Sequence, residues 1–364
     1  MIQTFSSTIR RREMDAVLTC MVDEKIGPGE LNARLIQSVK DNFSCAGAVA
    51  LRSPSIALYY ALKAMELASD SVVMISALAP SWQLLCLENF GYKLLVLDVD
   101  EKTGLVTPDI VFEGIKKGGR VLLLHETMGI MPDMQGIMDL GIPVIEDISQ
   151  SAGAVYKPDA PPEESAQEFG GENKIGSEPA APKAGSFGLF TIMGLEEHDI
   201  ITAGGGAVLM ASNRRDWTVL KKYTDNLPQT DLLPDINSAL GWVQLKEYRR
   251  NEEIRKEIFS AYYRSLLSGK NKTFLRAADE GSAAWGFPVI LSGSYKDVKQ
   301  YASKKDIEIR SAYEQSVIAL RPDEIGASCR TAKSLLLRCA LFPMYPRLGK
   351  NQVIKVSRVL GTLP

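Results

Sequence analysis

Three stretches of this 364-residue chain, and one histidine outside them, carry residue types and spacings that could do chemistry. In IPVIEDISQSAGA an apolar run delivers Asp147, and Gln150 follows three residues later. A carboxylate at the end of a buried strand can hold a cationic nitrogen in its protonated form, and it can equally cap a following helix. In RSPSIALYYALKAM, Ser53 and Ser55 flank Pro54 and lead through Ile56 into a helical pattern, with proline well suited to the first turn. The unpaired N–H groups of a helix start, with a hydroxyl beside them, make a seat for a phosphate; a plain N-cap is the other reading. The third stretch, SFGLFTIMGLEEHDIITAGGGAVLM, runs from Ser186 to Met210 and contains no lysine; the nearest on either side are Lys183 and Lys221. Its polar centre is Glu196-Glu197-His198-Asp199. His198 could move a proton near neutral pH, or it could be an exposed histidine in a polar turn. His125, just after the apolar run VLLL, could contact a ligand or cap a turn.

These residues need a scaffold, and the sequence supplies a pattern for one. From about residue 46 to about 210, short apolar runs (AGAVALRS, SVVMISAL, KLLVLDVD, RVLLLHET, IPVIEDIS, GGAVLMAS) alternate with amphipathic stretches such as SIALYYALKAMELA. Nearly continuous apolar strands followed by helices predict an α/β fold with a mainly parallel sheet buried on both faces. The polar residues sit just after the strands, at the carboxyl ends where open α/β sheets bind ligands. Residues 157–184, rich in Pro, Gly, Glu and Ser, cannot bury enough apolar surface to order themselves and read as a flexible surface excursion. Beyond Gly241 the stretch WVQLKEYRRNEEIRKEIFSAYYRSLL predicts a long helix. After it AAWGFPVILS and IEIRS read as strands, and SYKDVKQYASKKD and NQVIKVSRVLG as helices. The expected division is therefore a large domain over 1–245 and a small C-terminal α+β domain over 246–364.

Composition narrows the function classes. A formal net charge of -2 leaves no bulk attraction to nucleic acid or an anionic membrane, and no stretch of transmembrane length is free of charges; the expectation is a cytoplasmic protein that handles small molecules. Five scattered cysteines argue against a disulfide framework or a CxxC zinc site, and two histidines cannot build a multi-histidine metal centre.

Several spaced motifs in order, KIGPGELNARLIQSV, RSPSIAL, SDSVVMIS, VIEDISQSAGAVY, ITAGGGAV, INSALGWVQL and LFPMYPRL, resemble the DegT-type nucleotide-sugar aminotransferases, fold type I enzymes dependent on pyridoxal phosphate. The resemblance implies a PLP or PMP cofactor, with Asp147 on the pyridine nitrogen, Gln150 beside the ring hydroxyl, and Ser53, Ser55 and Ile56 at the phosphate. It also implies a stacking aromatic near APSW, for which Trp82 is the candidate. A nucleotide-linked keto sugar as substrate, a role in polysaccharide or deoxyamino-sugar biosynthesis and a homodimer follow from the same resemblance. The departures are specific. The family's Schiff-base lysine falls on His198 counted back from Gly205-Gly206, or on Glu196 counted forward from Phe190-Thr191. Its phosphate-contacting asparagine and arginine fall near Thr230 and Leu232, with Asn226 close by. Histidine at the lysine's place occurs in the branch that dehydrates keto sugars with PMP, so two readings stand: a lysine-free enzyme with His198 as base, and a catalytically inactive homologue acting as a structural or regulatory partner. A third, in which Lys183 or Lys221 replaces the missing lysine, requires a long displacement.

Overall fold

The computed structural model describes residues 1–68, 70–158, 181–275, 277, 279 and 281–364. Seven strands form the main sheet: β1 Gly47–Leu51, β2 Val72–Ser76, β3 Lys93–Leu97, β4 Gly119–His125, β5 Val144–Asp147, β6 Phe190–Gly194 and β7 Ala207–Ala211. Their spatial order is β1-β7-β6-β5-β4-β2-β3. The β2/β3, β2/β4, β4/β5 and β5/β6 pairs are parallel, and β7 runs antiparallel to both its neighbours. Every residue of β1, β5, β6 and β7 is buried, as continuous apolar strands covered on both faces require. Among the described residues the expected α/β fold is present.

Three details differ from the sequence reading. The strand β6 was not singled out, because its five residues lie inside the polar-centred segment and carry Thr191 and Gly194 among the apolar ones. The long helix expected from Trp242 is two, Asp235–Lys246 and Tyr248–Leu266, separated at Glu247, whose ψ of 0 leaves the helical range. The first of the two begins earlier than expected, right after Pro234, and its Asp235 accepts hydrogen bonds from the N–H groups of Gly29, Leu31 and Asn32. The excursion expected over 157–184 lies, for 159–180, outside the described residues. Its two ends are joined: Tyr156 N donates to Pro182 O (2.7 Å) and Ala184 N to Ala154 O (2.9 Å).

A second, antiparallel sheet is built from β8 Phe287–Ile290, β9 Arg310–Ser311 and β10 Cys339–Phe342, in the order β8-β10-β9. It is clipped to the first through backbone bonds. Ser81 N donates to Gln315 O (2.8 Å), while Val317 N and Ile318 N donate to Ala79 O and Ala77 O (2.8 and 2.9 Å). The segment after β9 is thereby laid along the carboxyl end of β2.

The β4/β5 register pairs Leu124 with Glu146 and His125 with Asp147. Side chains alternate across a strand, so His125 and Asp147 share one face and Glu146 takes the other. Glu146 is fully buried and accepts the N–H groups of Gly185, Phe187 and Gly188, which fixes the chain entering β6. Glu126, also fully buried, lies against it; burial first and the Glu146 charge second hold its carboxyl well above the usual range. A carboxyl whose folded pKa is raised binds a proton that the unfolded chain releases above about 4.5. Its contribution to stability is complete below that pH and is lost as pH rises through the folded value. Glu126→Gln should therefore melt at least as high as wild type at pH 8, by roughly 2–4 °C more, and lose that advantage at pH 4. Thermal unfolding followed by circular dichroism at the two pH values tests it; an equal loss of stability at both would contradict the buried proton.

Candidate active site

The carboxyl ends of β2, β4, β5 and β6 open onto a cavity of about 520 Å³, lined on another wall by β9 of the second sheet and the residues after it, 310–316. Ser53, Ser55, Trp82, His125, Gln150, Glu196 and His198 all line it. Of the residues expected from the sequence, Asp147 and Ile56 do not.

Asp147 lies directly beneath the cavity, with no exposed surface. Its Oδ2 accepts from Gln83 Nε2 (2.7 Å) and bonds His125 Nδ1 (2.9 Å); its Oδ1 accepts from Ser149 N (3.1 Å) and Ser149 Oγ. Burial pushes this carboxyl up, but the His125 ring and the Ser149 donors outweigh it and hold the group below the usual carboxylate range. An ionised carboxylate offers about four acceptor positions, and all four are taken. His125, on β4, thus has one ring nitrogen committed to Asp147 and faces the cavity from a nearly buried position. Gln83 is fully buried, and its Oε1 has no hydrogen-bond partner among the described residues. Its bond to Asp147 is the one side-chain hydrogen bond that it makes among the described residues.

Gln150 accepts from Met128 N (2.7 Å) through its Oε1 and so pins the turn after β4, where Met128 has a φ of 61°. At the helix Pro54–Ala64, Ser53 caps: its Oγ accepts from Ile56 N at 3.2 Å. That bond consumes the N–H that Ile56 would have offered to a phosphate. Ser55 Oγ, 3.0 Å from Cys86 Sγ, remains on the cavity wall. Neither Thr230 nor Leu232 lines the cavity; Leu232 forms a backbone bridge with Leu51 instead.

The connection from β6 to β7 carries the residues at the lysine's expected place. Gly204, Gly205 and Gly206 have φ of 71°, 138° and 115°, open to glycine without strain, and they let Gly205 N and Ala203 N reach back to Leu195 O. His198 is held at the rim. Its ring stacks on Phe5 (4.3 Å between centroids), its carbonyl accepts from Trp285 Nε1 (2.7 Å), and its Nε2 is 4.0 Å from the Glu197 carboxylate. Glu196 is exposed and turns its carboxylate to Gly206 N (3.3 Å). Asp199, adjoining His198, folds inward against Gly194 and lines the cavity floor. No lysine lines the cavity among the described residues. Lys183 and Lys221 are both exposed, the latter pairing with Asp225, and neither reaches it.

A model of the DegT/DnrJ/EryC1/StrS aminotransferase family matches residues 7–360. The chain belongs to that family. The solved structures it resembles include an aminotransferase from Psychrobacter cryohalolentis (18% identity, TM-score 0.81, covering 97% of this chain and 96% of that one). A Streptococcus pneumoniae protein named as a sugar aminotransferase, in its PMP form, is similar at 16% identity and TM-score 0.81, over 97% and 94% of the two chains. The Escherichia coli GDP-4-keto-6-deoxy-D-mannose-3-dehydratase with bound hydrated PLP is similar at 15% identity and TM-score 0.80, over 99% of each chain. At these identities the likeness is one of fold. In this DegT-family member no lysine among the described residues lines the cavity at the strand ends.

Sequence reasoning missed Phe5, Gln83, Ser149, Asp199, Trp285 and Arg310. Phe5, Trp285 and Arg310 come from distant parts of the chain, and only the packing of the second sheet brings them to the rim. Gln83 stands one residue from the Trp82 that was chosen, and helical geometry puts it inward. Ser149 was legible as the second residue after Asp147, the ordinary place for a side chain that closes a turn on a carboxylate. Since Ser149 Oγ donates to Asp147 and accepts from Gly194 N at 2.9 Å, Ser149→Ala should cost about 1–3 kcal/mol in urea unfolding at pH 7. A loss within experimental error would show that these bonds do not hold the floor.

Proposed function

We propose that this chain is a lysine-free member of its family whose cavity takes a vitamin B6 vitamer in the amine form, PMP, together with a nucleotide-linked keto sugar. The observation that carries the reading is the cavity itself: Trp82, His125, Gln150, Ser55 and His198 all line it, and no lysine among the described residues does. Anchoring of the aldehyde form, PLP, needs a lysine, and none is at hand; the amine form needs none. When bound, such a group supplies an electron sink for bonds at a neighbouring carbon.

The protein's own contributions follow from the geometry. Asp147 would keep a ring nitrogen protonated, provided that Gln83 gives up its place on Oδ2. Gln83 has only that one bond to lose and an unpaired Oε1 that would still accept a donor. Trp82 offers a face for the ring and Ser55 a hydroxyl for its phosphate. His198, half-exposed and stacked on Phe5, is placed to take a proton from a carbon-bound hydrogen of the sugar. Water elimination therefore suits these residues better than amine transfer. In this reading residues 1–245 hold the vitamer and 246–364 form a smaller unit that closes the cavity. A second copy of the chain fits the exposed apolar stripe Met14, Leu18, Met21 and Val22 on the helix Arg11–Val22, spaced to share one helical face.

One observation favours the second reading, a homologue that binds no vitamer. All four acceptor positions of Asp147 are filled, and the cavity sets four carboxyls, Glu196, Glu197, Asp199 and Glu314, against Arg310, which is itself paired with Glu308 and Glu314. Phosphates are disfavoured in such a field. Calorimetric titration with PMP separates the two. A catalytic site binds PMP saturably, weakens about tenfold or more in Asp147→Asn and tightens several-fold in Gln83→Leu, where the competing amide is gone. No binding by wild type and by Gln83→Leu alike would establish the non-catalytic reading. For the dimer, Leu18→Glu should shift the mass measured by light scattering from two chains to one; an unchanged mass would place the interface elsewhere.

A further inference from the structure

Asp199 has a place in the cavity that the family resemblance does not assign to it. Its Oδ2 accepts from Glu196 N at 2.8 Å, and its carboxyl lies directly over Gly194. A β-carbon at residue 194 would stand 2.4 Å from Asp199 Oδ2 and 2.6 Å from Ser149 Oγ, closer than any real side chain could. Glycine at this strand end is what admits the carboxyl to the cavity floor. The Ser149 hydroxyl beside it gives its proton to Asp147 and none to Asp199. Asp199 therefore has one oxygen held by the Glu196 backbone and lines the cavity within one residue of His198.

We propose that Asp199 is the proton donor of the cavity, delivering its proton to a hydroxyl that leaves the sugar while His198 takes the proton from the adjacent carbon. The inference rests on the PMP reading above. In the step, the C–H bond breaks and its proton goes to His198, the C–H electron pair becomes a C=C bond, and the C–O pair leaves with oxygen. Asp199 supplies the proton that makes this oxygen water. Nothing is oxidised or reduced overall, and Asp199 carboxylate and His198 imidazolium remain to exchange a proton before the next turnover.

The surroundings suit a donor. The groups that face Asp199 are Glu196, Glu197 and His198 on its own turn, Asp147 from β5, His125 from β4, Arg255 from the helix Tyr248–Leu266 and Arg310, which lies over the Phe5 ring that stacks on His198. Burial, resisted by the Glu196 N–H, and then the charges of Asp147 and Glu196, hold the Asp199 carboxyl well above the usual carboxylate range. Asp147, beneath it, is held below. Two carboxyls driven apart in this way divide into one that holds its charge and one that keeps its proton more firmly than an ordinary carboxyl and can act as the acid.

The test is a carboxyl-carbon NMR titration of protein labelled at aspartate, in wild type, Asp199→Asn and Gly194→Ala, with PMP binding and water elimination from a GDP-linked 4-keto-6-deoxyhexose followed in parallel. The expected result is a resonance that titrates well above the ordinary aspartate range, vanishes in Asp199→Asn and moves down in Gly194→Ala, where the carboxyl is pushed off its seat. Elimination should fall about 100-fold in Asp199→Asn, and the alkaline limb of its pH profile should disappear, with the melting temperature as control for folding. An Asp199 resonance in the ordinary range, or undiminished elimination in Asp199→Asn, would overturn the donor role while wild-type PMP binding left the broader reading in place. A high Asp199 midpoint in a wild type that binds no PMP would overturn the broader reading, and the donor role toward that sugar with it.

Discussion

The four hydrogen bonds that converge on the Asp147 carboxylate are the constraint from which the rest of the site takes its form. A buried carboxylate without partners would shed its charge, because transfer of an unpaired ion into a low-dielectric interior costs far more than protonating it. Gln83, His125 and Ser149 keep it ionised. In doing so they fix three walls at once: the helix Ser81–Asn89 through Gln83, the end of β4 through His125 and the turn after β5 through Ser149. Ser149 in turn carries Gly194 N and sets where β6 ends. The parallel β4/β5 register, with His125 opposite Asp147, is what makes the convergence available.

Asp147 already has four donors and needs no further cation beside it. The β6–β7 connection presents Glu196, Glu197 and Asp199; burial pushes the Asp199 carboxyl well above the usual range, and backbone N–H groups of the turn donate to Asp199 and to Glu196. A cavity with this field selects against a strongly anionic ligand placed close to the turn.

Much of the scaffold was legible because its signals are local. Apolar runs of four to seven residues gave β1 to β5 and β7, and the strand-end position of Asp147 and His125 followed from where those runs stop. The family was legible from ordered motifs. What stayed hidden depends on packing. Ser53 and Ser55 look alike in sequence, yet Ser53 is spent on a helix cap and Ser55 is left on the wall. Gln83 and Trp82 are neighbours, yet one lies buried on Asp147 and the other lines the cavity. Phe5 and Trp285 reach His198 from opposite ends of the chain, which no spacing rule connects. Asp199 was visible only as one more acid in a polar run, because its role depends on Gly194 five residues earlier and on the direction in which the turn folds.

In the proposed reading the cavity holds a B6 vitamer without a covalent anchor. It is tested most directly by incubating the protein with PLP, reducing with borohydride and mapping the peptides by mass, beside a parallel sample equilibrated with PMP and separated from free ligand. The account predicts PMP retained in the second sample and no pyridoxyl mass on any peptide that lines the cavity in the first. A stoichiometric pyridoxyl adduct on one lysine, Lys183 or Lys221 included, would contradict it by showing that the chain supplies an anchoring amine after all.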